Sequence, residues 1–293
     1  MSENTKGAAL MVLSMSAFTF NDACLKGLAG EVPLFQALFL RSIGTVAMLG
    51  IMCFAFGYFK RVGTKRDWTL IRWRMLGELG AAFCFVQALY NMPLGNVSAI
   101  LQSLPLTVSL AGAVFLGEAV GWRRLMAILI GFLGVMLIVR PGTEGFDSYS
   151  FYALGAVAFV TLRDIMARKI GKDIPSVLIA FVTSIGVLTF AGLGTFTEEW
   201  AQVSPSGWMK LVGSAIFIMC GYVFSVAAMR HGEISFVAPF RYVSLLVAIL
   251  LGLVFFAEVP DALTIIGASI VVATGLFTLY RENRPKRILT RHQ

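Results

Sequence analysis

Eight charged side chains fall inside apolar runs of this sequence: Asp22, Lys26, Arg41, Glu78, Arg163, Asp164, Arg168 and Arg241. Each is expensive there, roughly 2.5–3.5 kcal/mol for a charge at a helix centre on insertion scales. Such groups pair with one another, face a watery cavity or meet a ligand. The spacing offers two pairs. Asp22 and Arg41 sit about 10 and 12 Å from the same end of two consecutive apolar runs, at 1.5 Å per helical residue. Asp164 and Arg241 match in depth near the opposite end, about 9 and 12 Å in. The chemistry to expect is ion pairing that closes one end of a path and then the other, simple fixing of helices, or capture of an anionic group by Arg241. Asp22, Glu78 and Asp164 are the acids in these runs that could carry a proton.

Polar and aromatic side chains between these clusters could line a cavity. One set is Phe85, Gln87, Tyr90, Asn91, Asn96, Ser98, Gln102 and Ser103; another is Tyr222, Ser225, His231, Phe236, Phe240 and Tyr242, with Thr19 and Asn21 added. Pro105 and Pro239 interrupt two apolar runs, one in each half, though not in strict register. A proline lacks the N–H that a helix interior needs, and broken helices at matching places in two halves mark a binding region. The stretch Ala238-Pro239-Phe240-Arg241-Tyr242 combines both signals.

The elements that must carry these residues are membrane helices. The chain has 293 residues, of which 58% are hydrophobic and 14% charged, against about 25% charged in soluble domains. Apolar runs of spanning length recur at 7–29, 33–57, 73–92, 95–116, 122–140, 149–170, 174–196, 208–230, 233–257 and 261–281. This is an all-α polytopic membrane protein of ten transmembrane helices. Of 24 Lys and Arg residues, 18 flank the ends that share a side with the N-terminus, and only Lys26, Arg140 and Lys210 flank the other. That asymmetry puts both termini in the cytoplasm. It also explains the net charge of +8 without nucleic acid, which is not an expected partner. The basic tail 282–293 could touch anionic lipid. Trp68, Trp73, Trp122, Trp200 and Trp208 read as interfacial anchors. Cys24, Cys53, Cys84 and Cys220 read as small hydrophobes. No Walker loop, metal-ligand spacing, Rossmann fingerprint or nucleophile elbow is present, so no cofactor, metal or ATP motor is expected. An intramembrane enzyme or lipid-handling protein would need a reactive constellation at one face, and the chain offers none.

An internal repeat divides the chain. Pro33 and Arg41-Ser42-Ile43-Gly44 recur, at an offset of 142, as Pro175 and Thr183-Ser184-Ile185-Gly186. The same offset sets Asp22 on Asp164 and Lys26 on Arg168, and an offset of 140 sets Gly117-Glu118 on Ala257-Glu258. With five spans per half, the second copy enters the membrane from the opposite side. Inverted repeats over 7–140 and 149–281 imply alternating access around a central cavity near the midplane. Gly131-Phe132-Leu133-Gly134 and Gly267-Ala268 offer close-packing faces on the fifth helix of each half, for use within the chain or in a homodimer.

Five plus five spans, the basic loop after the second, the Gly-Glu near the end of the fourth and the Gly-x-x-Gly of the fifth resemble paired EamA domains of the drug/metabolite transporter superfamily. The resemblance implies a ten-helix carrier of small molecules. Asn21-Asp22, Leu40-Arg41, Arg163-Asp164, and Ala238-Pro239-Phe240-Arg241-Tyr242 followed by Glu258-Val259-Pro260-Asp261 look like a bacterial branch holding riboflavin importers and S-adenosylmethionine uptake carriers. That likeness implies an inner-membrane protein. Riboflavin import is the first expectation, because an aromatic cavity could stack its ring system. S-adenosylmethionine uptake is the second, and export of amino acids or drugs the third. The residues expected at the substrate or gate are Asp22, Arg41, Asp164, Arg241, Tyr242, Phe240, Pro239, Asn21, Gln87, Tyr90, Asn91, Ser98, Gln102 and Tyr222.

Overall fold

A computed structural model describes residues 3–60, 63–117, 121–141, 147–171, 173–231 and 234–282. Glu118, the side chain of His231 and the tail beyond Glu282 lie outside the described residues. Among the described residues the secondary structure is helical throughout. The helices are α1 (Glu3–Lys26), α2 (Leu34–Ala55), α3 (Lys65–Asn91), α4 (Leu94–Leu101), α5 (Leu104–Leu116), α6 (Trp122–Val139), α7 (Ser150–Lys169), α8 (Ser176–Gly194), α9 (Pro205–His231), α10 (Ile234–Val237), α11 (Val243–Phe256) and α12 (Ala262–Glu282). The fourth span is α4 and α5 together; the ninth is α10, a 3-10 segment over Ala238–Tyr242, and α11. Among the described residues, nine stretches are long and apolar enough to cross a membrane. The remaining span, α3, is 27 residues long but carries Arg72, Arg74 and Glu78. This is a multi-pass membrane protein.

Local sequence accounts for the helix ends. Thr64 caps α3 in a reciprocal box with Asp67, so residues 65–72, which lie between the apolar runs 33–57 and 73–92, are helical. Pro105 removes the N–H that would bond the carbonyl of Leu101, and the helix breaks at Gln102-Ser103. Pro239 does the same after α10, where five residues wind as 3-10. The helices that follow the two breaks begin at nearly corresponding places, α5 at Leu104 and α11 at Val243, although Pro105 and Pro239 are not in register. The broken helices also end alike, with Gly117 and Ala257 both left-handed at φ 68° and 53°.

Packing follows the repeat. α1 lies mainly on α9 and α3 on α7; α2 packs on α8, α6 on α12, and α4 on α11. Exchanging each span for the one five places on leaves this set of pairs unchanged, as expected of halves related by a two-fold axis in the membrane plane. Helix order puts the N-terminus and the loops after α2, α5, α7 and α9 at one face, called here the N-terminal face. The connections after α1, α3, α6, α8 and α11 lie at the far face.

Glycines set the closest approaches. A Cβ at Gly134 would stand 2.9 Å from the Gly267 carbonyl oxygen, and one at Gly77 would stand 2.9 Å from the Arg163 nitrogen. The small-residue faces of the fifth and tenth spans are therefore used within the chain. We expect Gly134→Ala to force α6 from α12 and to cost about 1–3 kcal/mol, read as a lowered midpoint of thermal unfolding in detergent.

Candidate functional site

A cavity of about 110 Å³ lies where the two halves meet, framed by α2, α8, α3 and α9. The repeated motif builds it. Arg41 and Ser42 come from the first copy, Thr183 and Ser184 from the second, and all four line the space. Pro33 and Pro175 start α2 and α8 at the same register. Each motif therefore begins at the eighth helical residue, about 10 Å from its own face. α3 adds Arg74 and Glu78, one turn apart, and α9 adds Ile218 and Tyr222, also one turn apart. The frame is symmetric but its charge is not, because Arg41 corresponds to Thr183.

Charges near the cavity form a chain with one loose end. Glu78 lies 3.6 Å from Arg74 and 3.5 Å from Arg163, and Arg163 Nε lies 2.9 Å from Asp164 Oδ1. Gly77 and Gly80 allow this, since they admit the α7 backbone and the Phe159 ring against α3. Arg41 has no ion pair and donates no hydrogen bond among the described residues, and its Nε is shut off from solvent without a partner. Asp22 also has no ion pair; it accepts a 2.9 Å hydrogen bond from Asn21. Asn21 is itself buried and accepts from Ser214 at 2.6 Å.

The far face is sealed by contacts between the halves. Lys26 Nζ sits 2.8 Å from Glu258 Oε1 and donates to the Met92 and Leu89 carbonyls at the end of α3, at 2.5 and 3.3 Å. The other oxygen of Glu258 accepts from Leu94 N at 2.7 Å. Pro93 precedes α4 and has no capping side chain, so a carboxylate from the other half caps this helix, where a negative charge is favoured. Glu198 does the same for α2 by accepting from Phe35 N at 3.0 Å. Gln36 exchanges two hydrogen bonds with Ala201, Glu31 accepts from Ser204, and Arg140 pairs with Asp261.

Several expectations are corrected. Asp22 and Arg41 are not in contact, and Asp164 pairs with its neighbour Arg163 rather than with Arg241. Arg241 is exposed and has no ion pair among the described residues. The reason is local, because the 3-10 winding after Pro239 changes the direction in which residues 240–242 project. Phe240 packs on the Phe236 ring, with centroids 5.9 Å apart. Tyr242 is buried, and its hydroxyl fills the place a Cβ would need at Gly275. Asn91 donates to the Gln87 carbonyl. Gln102 donates to Ser244 at 2.7 Å, tying the two broken spans together. Tyr90, Ser98, Gln87 and Asn91 are not among the cavity's lining residues. Of the residues expected at the site, Arg41, Glu78 and Tyr222 line it. Sequence reasoning missed Arg74, Thr45, Thr183 and Ser184, although the Ser-Ile-Gly repeat already marked the last two.

Ten spanning elements, paired across a pseudo-two-fold axis around a cavity that holds charged side chains, define a membrane transporter. The chain belongs to the EamA-like transporter family, whose model matches residues 5–140 and 148–280. It is 28% identical over 277 residues to the pseudopaline exporter CntI of Pseudomonas aeruginosa, covering 91% of this chain and 93% of that one. It is 27% identical over 241 residues to a riboflavin transporter of Vibrio cholerae (78% and 79% covered). It is 25% identical over 284 residues to an S-adenosylmethionine uptake transporter of Rickettsia felis (95% and 94% covered). A solved crystal structure shares the fold with a TM-score of 0.61 at 19% identity, over 94% of this chain and 98% of the other. The family and these relatives are transporters, not enzymes.

The Arg140–Asp261 pair makes the far face acid-sensitive. The hydrogen bond from Arg140, with that from Thr264 N–H, holds the Asp261 carboxyl at about 2 against an ordinary 3.8. Its stabilisation is complete above the ordinary value and is lost as pH falls through the depressed one. It is modest, because Asp261 is half exposed. Thermal unfolding in detergent should fall more steeply with acid between about pH 4 and pH 2 in the wild type than in Asp261→Asn.

Proposed function

We propose that this chain is a secondary carrier that moves a small organic metabolite across the inner membrane of a bacterium by alternating access. One observation carries the reading: a cavity on the axis between two five-helix halves that holds charged and hydroxyl groups among apolar walls, closed at one face by ion pairs and caps that cross between those halves. The halves are 7–140 and 149–281, and rocking one on the other would exchange these contacts while the cavity stays in place. The positive charge at the N-terminal face supports cytoplasmic termini, so the sealed far face is periplasmic.

The lining favours a metabolite that carries charged or hydrogen-bonding groups on a partly apolar body. It holds Arg41, Arg74, Glu78 and the hydroxyls of Ser42, Thr45, Thr183, Ser184 and Tyr222 beside Leu49, Ala180, Val187 and Ile218, and among these lining residues Tyr222 is the single ring. Uptake of S-adenosylmethionine or a similarly polar compound is the reading this chemistry supports best. Riboflavin import is the second reading, favoured by the riboflavin transporters among the relatives. Of the three acids that could couple a proton, Glu78 and Asp164 are committed to guanidinium partners, whereas Asp22 is not. Asp22 is the coupling candidate.

Uptake of labelled S-adenosylmethionine and riboflavin into right-side-out vesicles from cells expressing the chain tests the function. We expect the first to accumulate, with a pH dependence that disappears in Asp22→Asn; accumulation of neither would defeat the substrate assignment. Glu258→Gln should leave Lys26 without its counter-charge, a change of about 3–5 kcal/mol for a buried pair. We expect that variant to bind substrate yet to transport several-fold more slowly, because the far face no longer closes firmly.

A further inference from the structure

We propose that Arg41 anchors a carboxylate carried by the substrate. The assignment rests on the carrier reading and goes beyond it by naming the chemical group that the cavity takes. Two guanidiniums, Arg41 and Arg74, and one carboxylate, Glu78, line the cavity. Glu78 is already engaged by Arg74 and by Arg163, at 3.6 and 3.5 Å, and Arg163 is further balanced by Asp164. That leaves the Arg41 charge without a contact partner among the described residues, and its Nε is buried with nothing to donate to. A buried, unpaired guanidinium in a membrane is costly unless a ligand completes it. The planar fork of arginine matches a carboxylate with two parallel N–H···O bonds.

The surroundings suit a single carboxylate. The lining carries one unmatched positive charge, so a monoanionic group balances it. Ser42 and Tyr222 line the same space, and their hydroxyls make no hydrogen bond among the described residues, so both are free to donate. The hydroxyls of Thr45, Thr183 and Ser184 already donate to carbonyls of their own helices. The cavity of about 110 Å³ is well below the roughly 300–1,000 Å³ of sites that enclose whole ligands. It has room for a head group, and the rest of the substrate needs the halves to move apart. Asp22 lies more than 4 Å from Arg41. If Arg41 served only to close on Asp22 in another state, the site would show no preference between carboxylates and neutral analogues.

The test uses the full chain in detergent and in proteoliposomes. The probes are S-adenosylmethionine, methionine, the carboxamide of each, and riboflavin as a neutral compound. Affinity is measured by calorimetry for wild type, Arg41→Gln and Arg41→Lys, and unliganded unfolding midpoints establish that each variant is folded. We expect each carboxylate to bind at least about tenfold more tightly than its amide in the wild type. The preference should vanish in Arg41→Gln and return in part in Arg41→Lys. Amides that bind as well as the acids, a preference that survives Arg41→Gln, or failure of both carboxylates to bind would each overturn the assignment. Loss of riboflavin uptake in Arg41→Gln as large as the loss for the carboxylates would overturn it while leaving the carrier reading intact. Absence of uptake of every probe by wild-type proteoliposomes would instead count against the carrier reading.

Discussion

The contact on which this structure most depends is that between Lys26 and Glu258. It joins the end of α1 in the first half to the turn before α12 in the second. Both members work twice. Lys26 is almost wholly buried and also satisfies the last carbonyls of α3. Glu258 also caps α4, which begins after a proline and has no cap of its own. Where charge meets charge in little water, each partner left alone would be costly. Here each is fully employed, and the far face closes around them. The left-handed turn at Ala257 is what aims Glu258 inward, and it is tied by the bond from Glu258 N to the Gly252 carbonyl.

Around this lock the molecule is symmetric in frame and asymmetric in chemistry. α2 and α8 present the same Ser-Ile-Gly motif at the same helical position, and α3 and α9 close the sides. Charge enters through residues that the repeat does not duplicate: Arg41 against Thr183, and the Arg74, Glu78 and Arg163 group on one side only. The frame is common to both halves, whereas the charge is confined to one part of the lining. The charged group on α3 depends on Gly77 and Gly80, because only a side-chain-free surface lets α7 come close enough for Arg163 to reach Glu78.

Much of this was legible in the chain. The ten apolar runs, the offset of the two halves, the proline breaks and the glycine faces were all readable, because membrane helices must satisfy their backbone internally and advertise themselves by length and composition. The repeat even marked Ser42 and Ser184, which face the cavity. The pairing of charges was not legible. Depth along a helix follows from counting residues, and by that measure Asp164 matched Arg241. Partnership depends also on rotation about each helix axis and on which helices are neighbours. Asp164 is nearest Arg163 on its own helix, while the 3-10 winding after Pro239 turns Arg241 outward.

The sequence by itself determined the number of spans, their inverted repetition and the places where helices break, since these follow from hydrophobic length, register and proline chemistry along one dimension. Tertiary structure alone decided that Arg74 is a wall of the cavity rather than a flanking charge, that Glu258 caps a helix of the other half, and that Arg41 has no ion pair among the described residues. Those outcomes depend on contacts between residues more than a hundred positions apart, or on a missing contact between residues that looked well matched. Such contacts are set by the packing angles of whole helices, which no local spacing encodes.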